Sequence, residues 1–217
     1  MSAMRLELGS PAVCSDGQFG ELADVVIDPS TRRVTHLVVE PHHRHWLARL
    51  VAIELVSPAS DERSVTLACT IAQARQLERA QVSAFLPIGG ELDLDDPDWD
   101  VGIEGVLMQP YYGSDVWTHD AVMAATYDRI PKGEVEIRRA STVTSADEHS
   151  VGHVDGFVVD DEQHITHLVL ERGHLWGKRE ITIPIHDVSA VQPDAITLRL
   201  SKDEVGALEP ISVRRRH

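Results

Sequence analysis

The chain is short of most features that announce a chemistry. Two cysteines, Cys14 and Cys69, are all that occur in 217 residues. They are too few for a disulfide scaffold and lack metal-ligand spacing, so each reads as a small thiol buried within a strand. No apolar run approaches the ~18 residues that a membrane-spanning helix needs. The N-terminus has no basic-then-apolar secretory pattern, and the expectation is a cytoplasmic protein. Bases are scarce beside acids, 20 Lys and Arg against 35 Asp and Glu, for a net charge of −15. That charge repels phosphate backbones and anionic membrane surfaces, which disfavours nucleic acid as a partner. Catalytic signatures are missing as well: no P-loop glycine run, no Gly-x-Ser-x-Gly elbow and no His-Glu-x-x-His. The reading is a protein without catalysis or cofactor.

What is present is a repeat. Val34-Thr35-His36-Leu37-Val38-Val39-Glu40 returns as Ile165-Thr166-His167-Leu168-Val169-Leu170-Glu171. Upstream, Gly20 to Asp28 matches Gly152 to Asp160; downstream, Val51-Ala52-Ile53 with Val56 matches Ile183-Pro184-Ile185 with Val188. Val65-Thr66-Leu67 then pairs with Ile196-Thr197-Leu198, and the offset stays at 131 or 132 throughout. Self-similarity at fixed spacing defines two modules, 1–85 and 135–217, with 86–134 between them.

Each module reads as short β-branched strands punctuated by turns, such as Ser15-Asp16-Gly17 and Asp28-Pro29-Ser30-Thr31. The second copy shortens the latter tip to Asp160-Asp161-Glu162-Gln163. Alternation puts Leu22 and Val26 on one face of the first long strand and Val25 and Ile27 on the other, so both faces are expected to be buried. It also puts His36 on a face with Val34, Val38 and Glu40. Each module ends in a short helix opened by a capping box, Ser201…Glu204 and its weaker twin Thr70…Gln73. Leu77 and Leu208 are placed to pin those helices down.

This order of turn, glycine, long Thr-His-Leu-Val hairpin, apolar return strand, Val-Thr-Leu strand and capped helix resembles the PRC-barrel family. That family includes the cytoplasmic barrel of the photosynthetic reaction-centre H subunit and a barrel of a ribosome-maturation factor. The resemblance covers about 75 residues of each copy. It implies a mainly β protein: two small PRC-barrel-like β-barrels with short C-terminal helices, joined by a partly ordered acidic connector. It brings no catalytic residues, because the shared positions are glycines, turns and core apolars.

Five features stand outside the packing pattern. His42, His43 and His45 share one loop, but the second copy replaces them with Arg172-Gly173-His174-Leu175-Trp176; a solvated loop accounts for them better than a metal site. His36 and His167 repeat, as half-buried histidines bonded within their modules would. Both copies place a tryptophan in a basic loop, Trp46 with Arg49 and Trp176 with Arg179, an arrangement able to stack or hold an anion. The connector 86–134 carries −9 of the −15 charge, with six of its acids in the run Glu91 to Asp100, together with five of ten aromatics: Trp99, Tyr111, Tyr112, Trp117 and Tyr127. Disordered linkers are poor in aromatics, so this segment is expected to dock, with a strand from Ile103 to Met108 and a short helix from Ala121 to Ala125. Its acids would face the basic loops. The terminal Arg214-Arg215-Arg216 reads as a frayed end.

Taken together, these residues point to a non-catalytic binding or scaffolding protein with an unidentified protein partner, and leave self-association open. The interaction surface would be drawn from Trp46, Arg49, Trp176, Arg179, Trp99, Tyr111, Tyr112 and Trp117. The alternatives are an RNA- or ribosome-associated assembly factor and a metal- or small-ligand-binding sensor.

Overall fold

The computed structural model describes residues 3–41, 47–57, 64–87, 99–111, 122–139, 141–172, 179–192 and 194–208. The protein is mainly β. The first half contributes β1 (Met4–Glu7), β2 (Pro11–Cys14), β3 (Gly17–Asp28), β4 (Arg33–Glu40), β5 (Arg49–Ala52), β6 (Val65–Thr66) and α1 (Ile71–Ala74). The middle supplies β7 (Gln81–Pro87), β8 (Trp99–Tyr111) and β9 (Val122–Pro131). The second half repeats the first as β10 (Val135–Arg138), β11 (Thr142–Thr144), β12 (Ser150–Val159), β13 (Ile165–Arg172), β14 (Arg179–Pro184), β15 (Val188–Gln192), β16 (Ala195–Leu198) and α2 (Lys202–Ala207).

The two halves exchange their opening strands. β1 pairs antiparallel with β12, and β10 pairs antiparallel with β3. The registers coincide under the repeat: Leu6 lies opposite Phe157, and Ile137 lies opposite Val25. One sheet therefore runs β14-β13-β12-β11-β16-β15 with β1 on β12, and the other runs β5-β4-β3-β2-β6 with β10 on β3. A single apolar core passes through both, containing Leu6, Leu22, Leu37, Ile137, Phe157, Leu168 and Ile196, all at most 1% exposed. Burying each such side chain contributes roughly 1.5–3 kcal/mol.

The hairpin tips also meet about this two-fold relation. The Val34 amide donates to the Gln163 carbonyl at 2.9 Å, and the Ile165 amide donates to the Arg32 carbonyl at 3.0 Å. Arg32 and Gln163, equivalent positions, both take left-handed backbone, with φ of 60° and 70°.

Two bulges per half explain sequence features that simple alternation misreads. The β3–β4 register skips Ala23, so Leu22 joins Val25 and Ile27 in the core while Val26 faces outward with Val38. That corrects the expectation that Leu22 and Val26 share a face; burial of both faces is as expected. The register also skips Thr35, which turns Val34 into the core with Leu37 and Val39, away from the face of His36 expected from alternation. The Thr35 hydroxyl donates to the Val26 carbonyl at 3.2 Å, and Thr166 repeats this to Val158 at 3.0 Å. The repeated threonine is thus a bulge residue, its hydroxyl satisfying a carbonyl that the bulge leaves over.

Both capping boxes form, and each helix start is held again from outside: Asp16 accepts the Ile71 amide at 2.8 Å, and Asp147 accepts that of Lys202 at 2.9 Å. Leu77 and Leu208 pack against the core. Cys14 lies in β2, but Cys69 sits in a bend beyond β6, because the chain turns there into the Thr70 cap. Among the described residues no helix is long and apolar enough to cross a membrane.

Candidate functional site

The middle segment folds as a three-stranded antiparallel sheet in the order β7-β9-β8. Residues 122–125 belong to β9, so the helix expected at Ala121 to Ala125 is replaced by strand; β-pairing with both neighbours overrides the helix preference of alanine there. The Ile103 to Met108 stretch lies within β8 as expected.

This sheet is tied to the first half through backbone. Leu50 donates to the Glu78 carbonyl at 2.9 Å, Ala80 to Ala48 at 3.1 Å, and Arg129 to Ala80 at 2.8 Å. Residues 78–80 thereby cover the edge of β5 and lead into β7. A second apolar cluster fills the contact: Val26, Val38, Ala48, Leu50 and Ala80 are buried, with Ile130 packed on them. The Arg129 guanidinium stands 3.5 Å from the Glu78 carboxylate. Glu134 Oε2 lies 2.6 Å from the Thr35 hydroxyl, whose single proton it shares with the Val26 carbonyl, and 3.4 Å from His36 Nδ1. That histidine contact lacks hydrogen-bond alignment, and among the described residues the buried Nδ1 has no hydrogen-bond partner. In the other copy, His167 Nδ1 is 3.1 Å from its neighbour Thr166.

β8 spans thirteen residues on the outside of this sheet. β9 pairs with it from Trp99 opposite Pro131 to Tyr111 opposite Val122, with an irregularity between Gly102 and Leu107. Among the described residues no strand pairs with its other edge. A long edge strand of this kind presents a row of backbone donors and acceptors to any extended chain that meets it.

Of the surface residues expected from sequence, Trp99 and Tyr111 thus mark the two ends of β8. Arg49 opens β5 and bridges to Arg79 through backbone. Burial lowers the pKa of Arg49, the nearby charge of Arg79 adds to this, and Glu78 opposes it. Arg179 opens β14 opposite Arg172. Trp46, Trp176, Tyr112 and Trp117 lie outside the described residues, as do His42, His43, His45, the acids from 91 to 98 and the terminal arginines.

Two features escaped sequence reading. A cavity of about 80 Å³ opens where the first hairpin tip meets the second sheet, lined by Ile27, Phe157, Leu168 and Ile196, with Arg32 at its side. Arg32 donates there to the Ile185 carbonyl at 3.2 Å. On the outer face of the second sheet, Arg5 of β1 reaches Glu180 of β14 at 2.7 Å. Asp155, 7% exposed, sits in the field of the same group. Burial pushes its carboxyl above the usual range, Glu180, Glu7 and Glu171 push the same way, and Arg139 opposes them. The first half has Ala23 where the second has Asp155, so repeat comparison gave no warning. Among the described residues, no three His, Cys, Asp or Glu side chains converge as a metal ion would require.

Neither a protein-family model nor a curated protein matches the chain.

Proposed function

We propose that this chain is a non-catalytic interaction protein built on two PRC-barrel-type modules, and that its protein partner adds a strand to the open edge of β8. The observation that carries the reading is the docked β7-β9-β8 sheet, whose thirteen-residue outer strand has one paired edge among the described residues. Backbone pairing supplies affinity in such a contact, and alternate side chains along the strand supply selectivity. Trp99 and Tyr111, at the ends of β8, bracket the edge with the residue types that dominate interface energetics. The repeated positions support the same reading. Thr35 and Thr166, Asp16 and Asp147, and both capping boxes are engaged in holding backbone. The partner is a protein that offers an extended segment, a second copy of this chain included.

The register provides the test. Pro87 lies opposite Val122 at the end of the β7–β9 pair, so a two-residue Asn-Gly turn can replace residues 88–121 and leave a hairpin without β8. The full chain and this variant are compared by sedimentation and by affinity purification from native lysate. The expected result is a variant that still melts cooperatively, with self-association or co-purifying protein lost from it. An identical set of associations from both proteins removes β8 as the interface.

A further inference from the structure

The two cysteines that the sequence leaves 55 positions apart are neighbours in the fold, with Sγ atoms 4.0 Å apart. The contact is braced on both sides. Ser15 donates its amide to the Cys69 carbonyl at 3.0 Å and its hydroxyl to the same oxygen at 3.2 Å, while Asp16 holds the Ile71 amide at 2.8 Å. Backbone beside each sulfur is therefore fixed to the other's segment, and the Sγ atoms, 4.0 Å apart, need to close by about 2 Å to reach the bonding distance of about 2.05 Å. Both thiols are free. The second half has Ser145 and Leu200 at the matching places, so the pair belongs to the first half alone and is no requirement of the module.

We infer that Cys14 and Cys69 form a reversible regulatory disulfide, closed by a low-molecular-weight disulfide of the oxidised-glutathione class. The exposures set the order of events. Cys69 is partly exposed, whereas Cys14 is 4% exposed. Burial pushes the Cys14 thiol up to about 12, with Cys69 and Asp16 adding to the effect. The Cys69 thiolate attacks one sulfur of the oxidant, whose S–S bond breaks and releases one small thiol after protonation. The Cys14 sulfur then attacks the Cys69 sulfur of the mixed disulfide, and the second small thiol leaves with the proton that Cys14 gives up. Two protein thiols are oxidised and one small disulfide is reduced to two thiols. The high pKa of Cys14 makes the second step slow and accelerates it as pH rises. The bond closes a loop containing β3, β4, β5 and β6 and ties β2 to the start of α1, so it stabilises by restricting the unfolded chain.

The full chain is equilibrated in glutathione buffers from fully reduced to fully oxidised, quenched by acid and alkylated, then weighed intact and melted. The expected product is a monomer about 2 Da lighter that takes no alkyl group. Its melting temperature rises by on the order of 10 °C and reverts with dithiothreitol. Cys14→Ser, which installs the residue the second half carries, stops at one glutathione adduct on Cys69. Cys69→Ser stays reduced, because the remaining thiol is buried, and it serves equally if the first variant does not fold. Accumulation of wild-type glutathione adducts without the internal bond, or cross-linking between chains instead, overturns the inference.

Discussion

Leu6 and Ile137 occupy the same register position in opposite sheets, Leu6 against Phe157 and Ile137 against Val25. Each is at most 1% exposed and lies in the one core common to both halves. Leu6→Ala should therefore destabilise the protein by about 2–5 kcal/mol. Its effect should fall on the second half, as faster amide hydrogen exchange in β12. Ile137→Ala should loosen β3 instead. Exchange that rises only in the half nearest in sequence would contradict the strand swap.

The approach of β1 to β12 leaves no room for a side chain at Gly156, where a Cβ would strike the Leu6 carbonyl oxygen; at Gly20 it would strike that of Glu40. Both obstacles are backbone and cannot rotate away. Gly156→Ala and Gly20→Ala should each cost more than about 2 kcal/mol. Gly133→Ala is the contrast. Its φ of +81° is left-handed but a Cβ there meets nothing within 4 Å, so its cost is limited to the backbone strain of about 1–2 kcal/mol. Urea titration of the three variants checks the ranking.

Asp155 should make the protein less stable as pH rises. Its folded pKa is above its ordinary value of 3.8, so between the two values the folded state holds more protons than the unfolded state, and stability falls through that window. Asp155→Asn removes the penalty. It should raise the melting temperature at pH 7 by about 2–4 °C, the shift that 1 kcal/mol produces in a chain of this size, and flatten the dependence on pH. A lower melting temperature at pH 7 would mean that the Arg139 attraction outweighs burial.

The second helix cap has the opposite sign. Asp147 and Glu204 have folded pKa values below their ordinary 3.8 and 4.5, Asp147 through hydrogen bonds from the Ser145 side chain and the Lys202 backbone, Glu204 through those of Ser201. Their contribution is complete above those ordinary values and is lost as pH falls through the folded ones. Ser201→Ala should cost about 1 kcal/mol at neutral pH. A double comparison with Asp147→Asn, melted at pH 7 and pH 3, should show the differences shrinking at the lower pH.

Much of this architecture could be read from residues that act locally. The capping boxes, the hairpin tips and the apolar strands need only their own neighbours in sequence, and the repeat exposed their equivalence. The bulges were hidden because period-two alternation assumes an unbroken register, although at one bulge of each half the Thr35 and Thr166 hydroxyls reach the carbonyls of Val26 and Val158. The exchange of β1 and β10 was not legible at all. Met4–Glu7 and Val135–Arg138 have the apolar alternation of any edge strand, and nothing within four residues specifies which sheet they join. The helix expected at Ala121 to Ala125 shows the same limit: alanine favours helix until flanking strands offer pairing on both sides. At the candidate site, Trp99 and Tyr111 were visible as aromatics in an acidic segment, whereas the closeness of Cys14 to Cys69 depends on a turn and a cap that only the folded chain brings together.

The swapped strands also fix a schedule for synthesis. β3 emerges early, but its partner Val135 follows Ile27 by 108 residues, and Val159 follows Met4 by 155. At translation speeds of about 5–20 residues per second, the first sheet waits roughly 5–20 s with Asp24 to Ile27 of β3 lacking their β10 partner. During that interval the nascent chain is open to capture by any other extended segment, so rare codons placed between 87 and 135 would lengthen the most hazardous moment of this protein's production.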